Sequence, residues 1–240
     1  MTGKDTIAAI ATGLTDSGIG IVRISGEEAL RVGDALFLFP GKKQGERLLS
    51  QGEDHRMYYG FVCDPEKDFT IDEVMAVVMR GPRSFTGEDT VEIQCHGGVL
   101  GMGRILEAAL GQGARMAQPG EFTKRAFLNG RIDLTRAEAV MDLIRSQNDL
   151  ALGASMRQLK GELCEKIREI RGEILHETAF IESALDDPEH FSLEGYPGQL
   201  LGKVTGLRQE LERLAATAEE GRIQKEGINT VILGRPNVGK

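Results

Sequence analysis

PGEFTKRAFLNGRIDLTRAEAVMDLI, residues 119–144, is the stretch on which the reading of the fold turns. Before it the chain reads as short strands and turns, and after it as long amphipathic helix until shortly before the end. Pro119 suits a first helical position, where its missing N–H would be unpaired anyway. Phe122, Ala126 and Phe127 then share one helical face. Gly130 can take the left-handed conformation that stops a helix. Thr135 followed by Glu138 is a capping box that starts the next one. The stretch therefore reads as a joint, with Arg131 exposed on its basic turn. A joint between two differently built regions is a common place for a ligand. Lys124, Arg125, Arg131 and Arg136 beside it read either as a basic patch or as a plain solvated helix face.

Working back from the joint, Thr6 to Ala11 and Gly18 to Ile24 are β-type runs around the turn-rich TGLTDS. In the second, Ile21 and Arg23 point one way and Val22 and Ile24 the other. Ser25 with Glu28 forms a capping box for a helix through Ala29, Leu30, Leu36 and Phe37, closed by Pro40. Residues 41–56 read as a polar, mobile surface loop. Met57 to Cys63 and Glu73 to Met79 are strands joined by DPEKD, and RGPRSFTGED (80–89) is loop chemistry throughout. The strand Thr90 to His96 alternates strictly. Val91, Ile93 and Cys95 face one side, and Glu92, Gln94 and His96 the other. That polar face is either solvated or the floor of a pocket. Gly97-Gly98 opens a helix to about Leu110 and reads either as a tight turn or as an anion site at a helix N-terminus. Ala114 to Ala117 is a last short strand. Strands interleaved with helices imply a mixed-sheet α/β domain over residues 1–118.

Working forward, the apolar positions Leu152, Met156, Leu159, Leu163, Ile167, Ile170, Ile174, Ile181 and Leu185 step mostly by four and three. They predict one amphipathic helix of about 35 residues, ended by Asp187-Pro188. FSLEGYPG reads as a loop. Leu200, Val204, Leu207, Leu211, Leu214 and Ala218 repeat the spacing. Seams of this length need a bundle around them, so residues 119–222 form a helical domain. A β-run from Asn229 to Leu233 opens a third region, 223–240. The fold class is α+β.

Composition narrows the function. The net charge of -8 in 240 residues argues against a duplex DNA-binding protein held by bulk charge. Cys63, Cys95 and Cys164 have no C-x-x-C spacing, so they suit neither a disulfide framework nor a zinc site but a reducing compartment. The start, MTGKDTIAAIATG, lacks a signal-peptide pattern. No apolar run of roughly 18 residues could span a membrane. A cytoplasmic protein without a membrane partner is expected.

The run TVIL leads directly into Gly234-Arg-Pro-Asn-Val-Gly-Lys240, which is G-x-x-x-x-G-K after a strand and reads as a P-loop. Its glycines let backbone N–H groups wrap phosphates, and its lysine meets the outer ones. The Ser or Thr that holds Mg²⁺ in such loops would follow Lys240. The sequence is therefore read as the front part of a longer protein, unable by itself to hydrolyse nucleotide.

GIGIVRISG (18–26), SFTGEDTVEIQCHGG (84–98), the joint and GRPNVGK (234–240), in this order, resemble the MnmE (TrmE) family of tRNA modification GTPases. The resemblance implies a tetrahydrofolate-binding-like domain that also makes a homodimer. It implies a helical domain carrying an inserted Ras-like G domain, truncated here. It implies work with the flavoprotein MnmG (GidA) on tRNA, placing an aminomethyl-type group on C5 of the wobble uridine. Its cofactors would be a tetrahydrofolate derivative (5-formyl or 5,10-methylene), GTP, K⁺ and Mg²⁺. By motif, folate contacts fall on Arg23, Glu92 and Arg131, and GTP contacts on Asn237, Val238, Gly239 and Lys240. Asn237 would also hold K⁺. The family's catalytic cysteine lies beyond residue 240, and LDDPEHF (185–191) departs from the family's usual run there. A stand-alone folate-binding, dimerising module without GTPase activity is the alternative reading. Codons after Lys240 that encode Ser or Thr and a helix would separate the two.

Overall fold

A computed structural model describes residues 5–67, 69–226, 230, 231, 233 and 234. The chain divides into two compact units, Met1–Asp133 and Leu134–Lys240.

The first unit is built on strands β1 (Ile7–Ile10), β2 (Ser17–Ser25), β3 (Phe37–Leu38), β4 (Met57–Asp64), β5 (Phe69–Met79), β6 (Thr90–Gly97) and β7 (Arg115–Met116). They form one sheet in the order β3-β4-β5-β6-β2-β1-β7. Only β1 and β7 pair in parallel; the other pairs are antiparallel. The helices are α1 (Ala29–Leu36), α2 (Val99–Gly111) and α3 (Glu121–Leu128).

Strand alternation decides the faces. Val22, Ile24, Val74, Ala76, Val78, Val91 and Ile93 are buried together with Val32 and Leu36 of α1 and Met102 and Ile105 of α2. Burying one such side chain contributes on the order of 2 kcal/mol. The opposite face then carries Ile21, Arg23, Glu92 and Gln94, as the alternation requires. Register places Arg23 directly beside Glu92, Ile21 beside Gln94, and Val77 on the other flank of Glu92. Gly97 packs against Ser17, where a β-carbon would collide with the Ser17 backbone. Close packing of β6 on β2 therefore accounts for this half of the Gly97-Gly98 pair.

Several local expectations give way to tertiary contacts. Ser25 caps no helix: it ends β2, and its hydroxyl lies 2.8 Å from both Thr86 Oγ1 and Glu88 Oε2. Helix α1 stops at Leu36 because Phe37 and Leu38 pair with β4. The loop of residues 41–56 is tethered. Leu49 is buried, Ser50 donates to Asp34, and Arg80 donates to the Ser50 and Gly52 carbonyls. Pro119 precedes α3 rather than opening it, since Gly120 takes the N-cap position in a left-handed conformation. Gly130 is left-handed as expected, at φ 70°. Phe127, placed on the inner face by spacing, is exposed, and Arg125 is buried instead.

The second unit consists of α4 (Leu134–Arg145), α5 (Asp149–Lys160), α6 (Glu162–Asp186) and α7 (Tyr196–Glu226). Thr135 is already the second residue of α4 rather than its cap. Asn148 caps α5 by accepting the Ala151 N–H at 2.8 Å. The single helix expected from Leu152 to Leu185 is broken at Gly161, whose φ is 93°. The Arg136 guanidinium fills the space where a β-carbon of residue 161 would stand. Helix α7 begins at Tyr196, inside the stretch read as a loop. Ala139, Ala151, Ile170, Ala184 and Leu207 are buried, but Leu163, Ile167 and Ile174 of the α6 seam are 39–49% exposed. Thr230, Val231, Leu233 and Gly234 are described and lie in no regular element. Asn229 and Ile232 of the expected strand, and Asn237, Val238, Gly239 and Lys240 of the P-loop, lie outside the described residues.

Candidate functional site

On the sheet face left uncovered by α1 and α2, Arg23 Nε donates to Glu92 Oε1 at 2.6 Å. Their side chains are 26% and 15% exposed. The pair is cross-strand neighbours on β2 and β6, so two rigid strands set its geometry. The rings of Phe85 and Phe122 sit 5.6 and 5.4 Å from the Arg23 guanidinium carbon, within cation–π range. Phe85 comes from the loop between β5 and β6, and Phe122 from the first turn of α3. Arg23 is therefore ion-paired on the polar sheet face and roofed by aromatic rings.

Arg131 sits just past α3, exposed, with its Nε 3.4 Å from the Ser84 carbonyl. Ser84 is the loop residue next to Phe85. The loop is bound to the end of α3 again by Asn129 Nδ2, which donates to the Thr86 carbonyl at 2.8 Å. Gly87, at φ 78°, lets the loop pass close over Asn129. The structure thus gathers Arg23 and Glu92 in one contact and places Arg131 on the adjoining wall.

Arg125 belongs to no basic surface. It is 5% exposed, and its Nη1 donates to the Asp5 carbonyl at 2.8 Å and to both Glu88 carboxylate oxygens at 3.3 Å. Its Nη2 donates to Asp5 Oδ1 at 2.7 Å and Glu121 Oε1 at 3.2 Å. Arg115 binds Asp5 and Glu121 as well, each at 2.7 Å. Arg115 pushes the Glu121 carboxyl down to about 2 and lowers Asp5 too. Burial opposes the charge on Arg125, but Glu88, Glu121 and Asp5 outweigh it and hold the guanidinium above its ordinary value.

Gln94 and His96, the other polar residues of β6, line a neighbouring cavity of about 280 Å³ with Ile19, Tyr59, Glu73 and Met75. His96 Nδ1 lies 2.8 Å from Asp72 Oδ1. That hydrogen bond and charge raise the imidazole above its ordinary value. Cys95 faces the core, where burial pushes its thiol up to about 11 and makes it a poor nucleophile. Among the described residues no group of His, Cys, Asp and Glu could hold a metal ion, and no helix is long and apolar enough to cross a membrane.

Phe85, Glu88 and Arg125 were not legible as site residues. Phe85 and Glu88 lie in a segment without periodicity, and Arg125 looked like a surface cation on its helix. The one sequence signal was Phe122, whose spacing put it on the inner face of α3.

Fold and site together define a mixed-sheet domain with a roofed arginine–carboxylate pair, followed by a separate helical unit. The family model described as "GTP-binding protein TrmE N-terminus" matches residues 6–131, and that described as "MnmE helical domain" matches residues 134–232. The chain is 56% identical over 236 residues to the tRNA modification GTPase MnmE of Lachnoclostridium phytofermentans, covering 98% of this chain and 50% of that protein. It is 48% identical over 237 residues to that of Bacillus subtilis, covering 98% and 51%. It is 48% identical over 241 residues to that of Geobacillus kaustophilus, covering 100% and 51%. The chain belongs to the MnmE (TrmE) family, and it spans about half the length of the curated relatives it matches.

Proposed function

We propose that this chain is the N-terminal part of a tRNA-modifying GTPase and that its first unit binds a reduced folate over the Arg23–Glu92 pair. The observation that carries the reading is that pair, held between rigid strands and roofed by Phe85 and Phe122. A pterin presents adjacent ring N–H and amino donors, and one carboxylate can accept from both. Glu92 provides that acceptor. Arg23 orients the carboxylate, and the two phenyl rings offer an apolar wall to a flat heterocycle. Arg131 offers a cation on the adjoining wall for a glutamate carboxylate of the folate tail. A bound folate would supply a one-carbon unit for an aminomethyl-type group at C5 of the wobble uridine of tRNA.

In the whole protein the P-loop would bind GTP through Asn237, Val238, Gly239 and Lys240, with K⁺ on Asn237 and Mg²⁺ on a residue after Lys240. The first unit, which runs past the boundary expected at residue 118 to include α3 and ends at Asp133, would carry folate and the homodimer contact, the helices from Leu134 would be the first part of the helical domain, and 223–240 would start the G domain. The chain by itself would not hydrolyse GTP. The flavoprotein MnmG would be the partner, in the cytoplasm. The relatives' names, which describe a tRNA modification GTPase, support the GTPase and tRNA parts of this reading.

The test is calorimetric titration of 5-formyltetrahydrofolate into wild type and Glu92→Gln. Charge-assisted hydrogen bonds of this kind contribute about 1.5–3 kcal/mol each. Glu92→Gln is therefore expected to weaken binding from about tenfold to several hundredfold. It also leaves Arg23 without its ionised partner, so a modest drop in melting temperature accompanies the loss. Equal affinities would make the polar face a solvated strand.

A further inference from the structure

The proposed folate site lies on the polar face of β2 and β6 and is flanked by two elements, the walls of the site in that reading: the loop of residues 80–89, and helix α3 with the turn after it. Phe85 and the Ser84 carbonyl belong to the first wall, Phe122 and Arg131 to the second. Neither wall is part of the sheet, so something must fix their spacing. Polar contacts that join them are Asn129 to the Thr86 carbonyl, Arg131 to the Ser84 carbonyl, and Arg125 to Glu88. The first is a neutral side-chain bond near the pocket mouth. The second is the long 3.4 Å contact of an exposed residue. The third is buried and branched. Glu88 is held from below by Ser25 at the end of β2, and Arg125 also grips Asp5, two residues before β1. Ser84, Thr86 and Thr90 form a buried hydroxyl cluster around this point.

We infer that Arg125 and Glu88 are positioning residues for the folate site: their buried ion pair bolts the two walls together and so holds Phe122 over Arg23 and Arg131 against the loop that carries Phe85. This rests on the folate reading of that pocket. A forked guanidinium is what the place demands, because it must reach Asp5, Glu88 and Glu121 at once. A lysine ammonium is a single point charge and cannot span all three. Arg125 and Glu88 bind Asp5, Glu121 and Ser25, away from the Arg23–Glu92 pair, so each acts through the walls alone.

The test is a double-mutant cycle in the 240-residue chain, read as the affinity for 5-formyltetrahydrofolate, with circular dichroism to establish that each variant is folded at the assay temperature. Arg131→Ala in the wild-type background is expected to weaken binding about tenfold, as one charged contact. Arg125→Lys is expected to weaken it by a similar factor with the fold intact. In the Arg125→Lys background, Arg131→Ala is expected to add less than about threefold, because Arg131 is no longer held in place; residues that act as one unit are non-additive. A residue serving only overall stability would lower the melting temperature and leave the two losses additive in folded protein. If Arg125→Lys does not fold, the same cycle is run with Glu88→Gln, which removes the ion pair from the other wall and keeps a hydrogen-bonding side chain.

Wild-type affinity in folded Arg125→Lys, or full additivity with Arg131→Ala, overturns the inference while leaving the folate reading in place. Wild type that binds no folate overturns both. Loss on Glu92→Gln with the cycle additive overturns the bolt alone.

Discussion

The two units solve the burial problem differently. In the sheet unit, β2, β5 and β6 alternate cleanly, and one face is closed by α1 and α2 with Val22, Ile24, Val91, Ile93, Met102 and Ile105 fully buried. In the helical unit Leu163, Ile167 and Ile174 of α6 stay 39–49% exposed, although Ile170 of the same seam is buried. A sheet face can be sealed by helices local in sequence. A long helix seam needs other helices along its whole length. The sheet unit therefore closes its core with its own helices, whereas the helical unit leaves apolar surface exposed. In the reading proposed above, packing on that surface would come from the rest of the protein.

The comparison can be broken most directly by truncating matched side chains. Ile93→Ala in β6 is expected to cost about 3–4 kcal/mol, as a fully buried isoleucine leaving a cavity. Ile174→Ala in α6, at 49% exposure, is expected to cost less than about 1 kcal/mol. Urea titrations that follow the two units separately are needed, because two units need not unfold in one transition. Similar costs at both positions would mean that the α6 seam is closed in solution.

Hydrogen exchange probes the same contrast without mutation. Amides of β5, β6 and α2 are expected to exchange at least about a hundredfold more slowly than those of α6 and α7, since local opening follows local burial. Mass spectrometry on peptides from each unit would read this. Equal protection would show the helical unit to be as stable as the sheet.

A smaller effect tests the break between α5 and α6. Gly161→Ala is expected to cost about 1–2 kcal/mol, because a left-handed backbone disfavours a β-carbon and the Arg136 side chain must move aside. A gain in helicity and stability would mean that the continuous helix suggested by the apolar spacing is accessible after all.

The last test is the pH dependence, which leaves stability at neutral pH unchanged. The Glu121 carboxyl lies below its ordinary 4.5, at about 2, so its ionised form is favoured in the folded state. Its contribution is complete above about pH 4.5 and is lost as pH falls towards 2. The melting temperature of the sheet unit should fall over that window, and Glu121→Gln should flatten the fall. His96 works in the opposite sense. Asp72 raises its pKa above the ordinary 6.5, so its contribution is present below pH 6.5 and fades as pH rises through the folded value. At so exposed a side chain the change should be slight, and His96→Gln should remove it.

The sequence by itself determined the element types, the alternation that splits β6 into a core face and a polar face, the glycine stop at Gly130, and the change of period after the joint. Those are nearest-neighbour properties: side-chain direction repeats every second residue in a strand and about every 3.6 in a helix, and glycine alone enters left-handed backbone cheaply. Arg23 and Glu92 were legible as candidate site residues for the same reason, together with the family resemblance. Only the tertiary structure decided that β2 lies against β6 in the register that pairs them. It alone decided that Ser25 serves Glu88 rather than a helix cap, that Gly161 divides a periodic run, and that Arg125 is buried. In each case the deciding partner is distant in sequence: residue 23 meets 92, 25 meets 88, 161 meets 136, and 125 meets both 5 and 88. A buried ion pair or a turn at a crossing point leaves no periodic trace in either segment, because its energy exists only once both are brought together.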